Sequence, residues 1–146
     1  MMLVSELMER SPVSIAPEDS CRDAARLLSR YRVGALPVVN ADGMLKGILT
    51  DRDIVLRCLA LGKDPDKTAV RDCMTRNPVT VSPRDRVETA AERMSRSQVR
   101  RLPAAEGGRL AGMVSLGDLS RAEAFRMEAA KALAEISKGV QRLSPP

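Results

Sequence analysis

The chain carries one pattern twice, and that repetition limits the folds open to it more than any other feature. Pro12, Pro17, Ala24 and Pro37 recur 66 residues later as Pro78, Pro83, Ala90 and Pro103. Farther along the offset falls to 65, where Gly47-Ile48-Leu49-Thr50-Asp51-Arg52-Asp53 is matched by Gly112-Met113-Val114-Ser115-Leu116-Gly117-Asp118. The missing residue belongs to a turn. One copy of about 50 residues buries too little surface to be comfortable alone, so the two copies are expected to share a core. Related halves imply related surfaces and a shared cleft, and function is expected there.

Each copy opens with a short amphipathic turn, Val4 to Met8 or Val70 to Met74. A short alternating strand follows at Val13-Ser14-Ile15 or Val79-Thr80-Val81, closed by Pro17 or Pro83. Apolar residues then recur at helical spacing, Cys21, Ala24 and Leu28 against Val87, Ala90 and Met94. Asp19 or Ser20 is placed to cap the first of these helices, and Asp85 with Glu88 has capping-box spacing for the second. A hairpin comes next. Val33–Val39 runs out, Asn40-Ala41-Asp42-Gly43 turns and Leu45–Leu49 returns; in the second copy Glu106-Gly107-Gly108 makes the shorter turn. A last helix starts near Asp51 or Leu116. The fold class is therefore α+β (mixed α/β), two βαββα repeats with an extended C-terminal helix. The expected boundaries are 1–61 for the first repeat, 62–68 for a polar linker, 69–122 for the second repeat, and 123–146 for helix and tail. The C-terminal helix is expected to run from about Leu116 to Lys138. Ala129, Leu133, Ile136 and Val140 lie along one face of it, and that face has to be buried on this module or on a second subunit.

Composition removes several function classes. Of the residues, 44% are hydrophobic but only one is Tyr, one Phe and none Trp, so the core must be aliphatic. Histidine is absent, which excludes Ser-His and Cys-His nucleophile systems and removes the commonest metal ligand. Cys21, Cys58 and Cys73 fit neither a disulfide framework nor a metal knuckle, and read as small buried hydrophobes in a reducing cytosol. No signal peptide or membrane span is expected, and the localisation that follows is cytoplasmic. Net charge is +5, with −1 over residues 4–54 and +3 over residues 70–119. The basic second half suits an anionic partner. Nucleic acid is not the expected one, because the stacking aromatics that usually accompany a basic stripe are missing. No enzyme activity is expected. Hydrolysis of a nucleotide would need Asp53 and Asp118 to hold a metal, and no second carboxylate stands at a convincing spacing.

The layout resembles the CBS domain pair, also called a Bateman module, and most of all the small stand-alone bacterial proteins of that kind. The likeness covers residues 4 to about 120. It is carried by Gly34-Ala35-Leu36-Pro37-Val38-Val39 and by Gly47-Ile48-Leu49-Thr50-x-x-Asp53. In the second copy it is carried by Arg100-Arg101-Leu102-Pro103 and by Gly112-Met113-Val114-Ser115-x-x-Asp118. The resemblance implies a pseudo-two-fold pair that binds an adenosine compound (AMP, ADP, ATP or S-adenosylmethionine) in the cleft between repeats. It also implies a homodimer, and a regulated protein partner that the sequence does not name. Such a ligand is a regulatory effector, and no cofactor or metal is expected. The competing reading is a ligand-free scaffold that dimerises and docks a partner on its C-terminal helix.

The motif residues suit that ligand class chemically. Thr50 and Ser115 stand where a strand enters a helix, so their hydroxyls join free backbone N–H groups that favour an anion. Asp53 and Asp118 follow three residues later on the same helix face, and a carboxylate accepts from the two hydroxyls of a ribose. Gly47 and Gly112 leave room for close approach. In the family, basic residues before the hairpin proline reach ligand phosphates. Here those are Arg100 and Arg101, whose first-copy counterparts are Gly34 and Ala35, so two unequal sites are expected. Arg52 is a weaker phosphate candidate. The base slot implied by the resemblance is Val13, Ser14 and Ile15, or Val79, Thr80 and Val81, with Ile48 or Met113 beneath. The same Thr/Ser-x-x-Asp strings also read as helix capping boxes with Asp in place of Glu, and the two roles are compatible.

Overall fold

A computed structural model describes residues 1–121 and 126–138. In chain order the elements begin with α1 (Val4–Leu7), α2 (Cys21–Tyr31), β1 (Ala35–Val39), β2 (Leu45–Thr50) and α3 (Asp51–Ile54). A π-helical turn (Val55–Leu59), a 3-10 turn (Val70–Asp72) and β3 (Thr75–Arg76) follow. The last are α4 (Val87–Ser97), β4 (Arg101–Glu106), β5 (Arg109–Ser115), α5 (Leu116–Arg121) and α6 (Arg126–Lys138). The architecture is mixed α and β with the two expected repeats. They do not condense as contiguous halves. One compact unit combines Met1–Arg10, Val79–Glu106 and Ala111–Pro146; the other combines Ser11–Pro78 with Gly107–Leu110.

In the second of these units, β1 and β2 form the expected antiparallel hairpin, Ala35 opposite Thr50 and Val38 opposite Gly47. The Asn40 side chain sets the turn by accepting from the N–H groups of Asp42 and Met44 at 3.0 and 2.9 Å. The strand expected at Val13–Ile15 shrinks to Ile15 alone, which bridges Val38 in parallel. On the other edge β3, from the start of the second repeat, pairs with β2. The core is aliphatic, as composition requires. Leu36, Val38 and Leu49 of the hairpin meet Cys21, Ala24 and Leu28 of α2, with Cys58, Val70 and Cys73 behind them. Ser20 caps α2 by accepting from Asp23 N–H at 3.0 Å, so Ser20 and not Asp19 is the cap. The 62–68 interval, expected as a linker, is fastened to this unit. Thr68 is buried, its hydroxyl donates to the Asp64 carbonyl at 2.8 Å, and Arg22 pairs with Asp66.

The first unit repeats this plan with the segments exchanged. β4 pairs with β5, Val81 bridges Ala104 in parallel, and Glu9 from the start of the chain bridges Met113 on the far edge. Val4 of α1 enters a core with Val87, Ala90 and Met94 of α4 and Leu102, Ala104 and Val114 of the strands. Both α2 and α4 end on a non-glycine residue in the left-handed conformation, Arg32 and Gln98, 66 residues apart. The capping box expected from Asp85 and Glu88 does not form. The N-cap of α4 is Arg86, which offers no side-chain acceptor and occupies the position of Ser20 in the first copy. Asp85 instead accepts from Ser82 N–H at 2.9 Å and lies 3.4 Å from Arg93.

The C-terminal helix also departs from expectation. Within the described residues Leu116–Lys138 is two helices, α5 and α6, and α6 packs on α4 and α5 of its own unit. Its buried stripe is Ala129, Ala132 and Ile136, whereas Leu133, expected on that face, is 42% exposed. Ala132 takes the place instead, 1% exposed and on the same wall as Ala91 of α4. Val140 and the expected tail, 139–146, lie outside the described residues.

Candidate functional site

Both Thr/Ser-x-x-Asp strings fold as reciprocal capping boxes. Asp53 N–H donates to Thr50 Oγ1 at 3.0 Å, and Thr50 N–H donates to Asp53 Oδ2 at 2.9 Å. Ser115 and Asp118 repeat this at 3.1 and 2.8 Å. The second carboxylate oxygen is engaged as well. Asp53 Oδ1 lies 4.0 Å from Arg57, and Asp118 Oδ1 is bound by Arg121. The side chains of Asp53 and Asp118 are only 13% and 14% exposed, so each carboxylate is a fixed part of its helix start. A ribose would have to share oxygens that already hold partners.

What the first unit adds is a cavity. A space of about 950 Å³ is lined by Arg100, Arg101, Ser115, Leu116, Gly117 and Ser120, together with Ala129, Ala130 and Leu133 of α6. That is at the upper end of the volumes that hold small ligands. Three residues named from sequence, Arg100, Arg101 and Ser115, meet on its wall. Their convergence is built by the backbone. Leu116 N–H donates to the Arg100 carbonyl at 2.7 Å, tying the strand before Pro103 to the start of α5. Among the described side chains neither guanidinium has a carboxylate within ion-pair distance, whereas Arg84, Arg93 and Arg121 each have one. Two guanidiniums with no carboxylate partner among the described side chains, beside two hydroxyls, favour an anion.

The remaining sequence candidates are placed elsewhere. Asp118 stands behind Ser115 and does not line the cavity. Ile15 and Val81 are 4% and 1% exposed and belong to the two cores, and their backbone groups are spent on the parallel bridges. Met113 is also buried, Val79 is 45% exposed, and the Thr80 carbonyl accepts from Arg93 at 2.7 Å. Val13, Ser14, Ile48, Thr50 and Asp53 belong to the other unit, where Ser14 and Arg52 are exposed. Sequence reasoning missed Leu116, Gly117, Ser120, Ala129, Ala130 and Leu133 as lining residues. No local signal marks the three α6 residues, because α6 reaches the cavity only through its packing on α4 and α5.

Gly47 and Gly112 prove to be packing residues. A Cβ on Gly47 would lie 2.6 Å from the Thr75 carbonyl oxygen, and one on Gly112 would lie 2.5 Å from that of Glu9. In each unit the glycine admits the edge strand donated by the other repeat. Among the described residues no group of three or more His, Cys, Asp or Glu side chains is placed to hold a metal ion. No described helix is long and apolar enough to cross a membrane.

Comparison with known proteins fits this geometry to a family. The family model described as the CBS domain matches residues 4–59 and again residues 70–124. The chain belongs to the CBS domain family. It is 39% identical over 137 residues to the CBS domain-containing protein YhcV of Bacillus subtilis, an alignment covering 94% of this chain and 96% of that one. Among solved structures it is similar to CBSX2 in complex with AMP, at 28% identity and a TM-score of 0.75, covering 85% of this chain and 97% of that one. It is also similar to the CBS domain pair of MJ0100 in complex with 5-methylthioadenosine and S-adenosyl-L-methionine, at 29% identity and a TM-score of 0.74, covering 84% and 99%.

Proposed function

We propose that this CBS protein is a regulatory module that binds an adenosine-containing ligand, with the cavity of the first unit taking the ligand's phosphate end. The observation that carries the reading is the meeting of Arg100, Arg101 and the Ser115 hydroxyl on one cavity wall. The complexes of CBSX2 with AMP and of MJ0100 with adenosyl compounds support the ligand class. The charge at the wall favours AMP, ADP or ATP over S-adenosylmethionine, whose sulfonium and ammonium groups two guanidiniums repel. Asp118 acts by holding the Ser115 backbone in place. The reading is regulatory, because the described residues of the cavity wall offer cations, hydroxyls and apolar carbon and none of them is a general base. The scaffold alternative needs a free helix face, and the buried stripe of α6 is already seated on its own unit.

A thermal-shift series tests the proposal on protein freed of copurified small molecules. A ligand at 100 times its dissociation constant adds about 2.7 kcal/mol of stability. The expected result is a shift with at least one of AMP, ADP and ATP. Replacing both Arg100 and Arg101 by Ala is expected to weaken that ligand about 10²- to 10⁴-fold, since each charge-assisted hydrogen bond contributes about 1.5–3 kcal/mol. The absence of any shift with all three nucleotides and S-adenosylmethionine would overturn it.

A further inference from the structure

We infer that α6 is the second wall of this ligand site, so that a bound nucleotide lies with its apolar part on Ala130 and Leu133 and thereby holds α6 on its unit. The inference rests on the ligand reading above and adds to it the identity of the surface that takes the base and the element that registers occupancy. Helix geometry supplies the argument. Ala129, Ala132 and Ile136 form the stripe buried against α4 and α5. Ala130 and Leu133 each follow a stripe residue by one position and are themselves three apart. They form a parallel strip rotated about 100° around the helix. That strip borders the cavity shared with Arg100, Arg101 and Ser115, and Leu133 remains 42% exposed there.

The two walls have complementary chemistry. One offers cations and hydroxyls, the other methyl and isobutyl groups. Their occupant is therefore an anion with an apolar, flat portion, a purine nucleotide and not a bare phosphate. The short side chains of Ala129 and Ala130 allow a planar ring to approach the helix closely. Among the described residues the buried anchor of α6 is small, two alanines and one isoleucine, so ligand contact on the neighbouring strip adds measurably to its docking. By reciprocity, whatever strengthens α6 docking strengthens ligand binding by the same factor.

Hydrogen–deuterium exchange on the full chain tests this with AMP, ATP and inorganic pyrophosphate as probes. The nucleotides are expected to slow exchange in both the 115–121 segment and α6, and pyrophosphate in 115–121 alone. Leu133→Ala, at a half-exposed position, is expected to weaken AMP and ATP about fivefold through lost apolar contact while leaving pyrophosphate affinity unchanged. Nucleotide protection confined to 115–121, with Leu133→Ala binding like the wild type, overturns the role of α6 and leaves the ligand reading intact. Nucleotide binding that protects neither segment overturns both.

Discussion

Gly47 and Gly112 show how one residue type at one spacing supports two physical accounts. From sequence, each leaves space for a ligand beside the motif hydroxyl. In the structure each leaves space for a carbonyl oxygen of an incoming edge strand, Thr75 at one and Glu9 at the other. The sulfur of Met74 or Met8 is also within 2.9 Å of the position a Cβ would take. A methionine can shift, but a paired backbone cannot do so without loss of its hydrogen bonds, such as Met113 N–H to the Glu9 carbonyl at 3.0 Å. Gly47→Ala and Gly112→Ala are therefore expected to destabilise the protein by about 1–3 kcal/mol each, the usual cost of overpacking. Urea unfolding checks this, and a midpoint unchanged in both variants would show that the edge strands have room to spare. The glycines were legible in the sequence; the atom that each accommodates was not, because it lies in the other copy of the repeat.

At the level of elements, three cysteines from α2, the π-helical turn and the segment after the 3-10 turn enter one core. All three are free and buried. Burial and the neighbouring Cys73 push the Cys21 thiol from 9.0 up to about 12, and burial likewise raises Cys73. A thiol whose folded pKa is raised keeps its proton while the unfolded chain loses it. Stability is then complete below pH 9.0 and falls as the pH climbs toward 12. Wild-type protein is expected to lose stability more steeply over that interval than Cys21→Ala, as measured by chemical denaturation at fixed pH values. Equal slopes would mean that the thiol ionises as readily in the folded core as in water. The sequence reading of these residues as small buried hydrophobes agrees with their burial. Their convergence was not legible, since Cys21, Cys58 and Cys73 have no common period. The same limit applies to α4: its period was clear, but its expected cap failed because Asp85 is drawn into the preceding turn and Arg86 replaces the serine of the first copy.

For the molecule as a whole, the repeats that the sequence displays and the units that condense are different divisions of the chain. Each unit takes its sheet edge and one short helical turn from the opening of the other repeat, α1 and Glu9 in one case, the 3-10 turn and β3 in the other. We also propose that the protein is a homodimer. Val55, Leu56, Leu59 and Leu61 are each about half exposed or more and lie together on and just after the π-helical turn, an apolar surface of the kind that marks association. Sedimentation of the full chain is expected to give twice the mass of one chain, and Leu56→Lys with Leu59→Lys is expected to give the monomer. A wild-type monomer at working concentrations would remove the dimer from the proposal.

Sequence by itself determined the two-copy plan, the order of strands and helices within a copy, the aliphatic core and the two arginines of the second copy that meet Ser115. These follow from period, turn chemistry and residue type, which act over a few neighbouring positions. Only the tertiary structure decided which copy supplies each sheet edge, that α6 folds back onto α4 and α5 along an alanine stripe, and that Ala130 and Leu133 thereby border the arginine cavity. Periodicity reports that a face must be covered. What covers it is set by long-range packing, where seats of similar shape compete and the best-fitting one is chosen by contacts far apart in the chain.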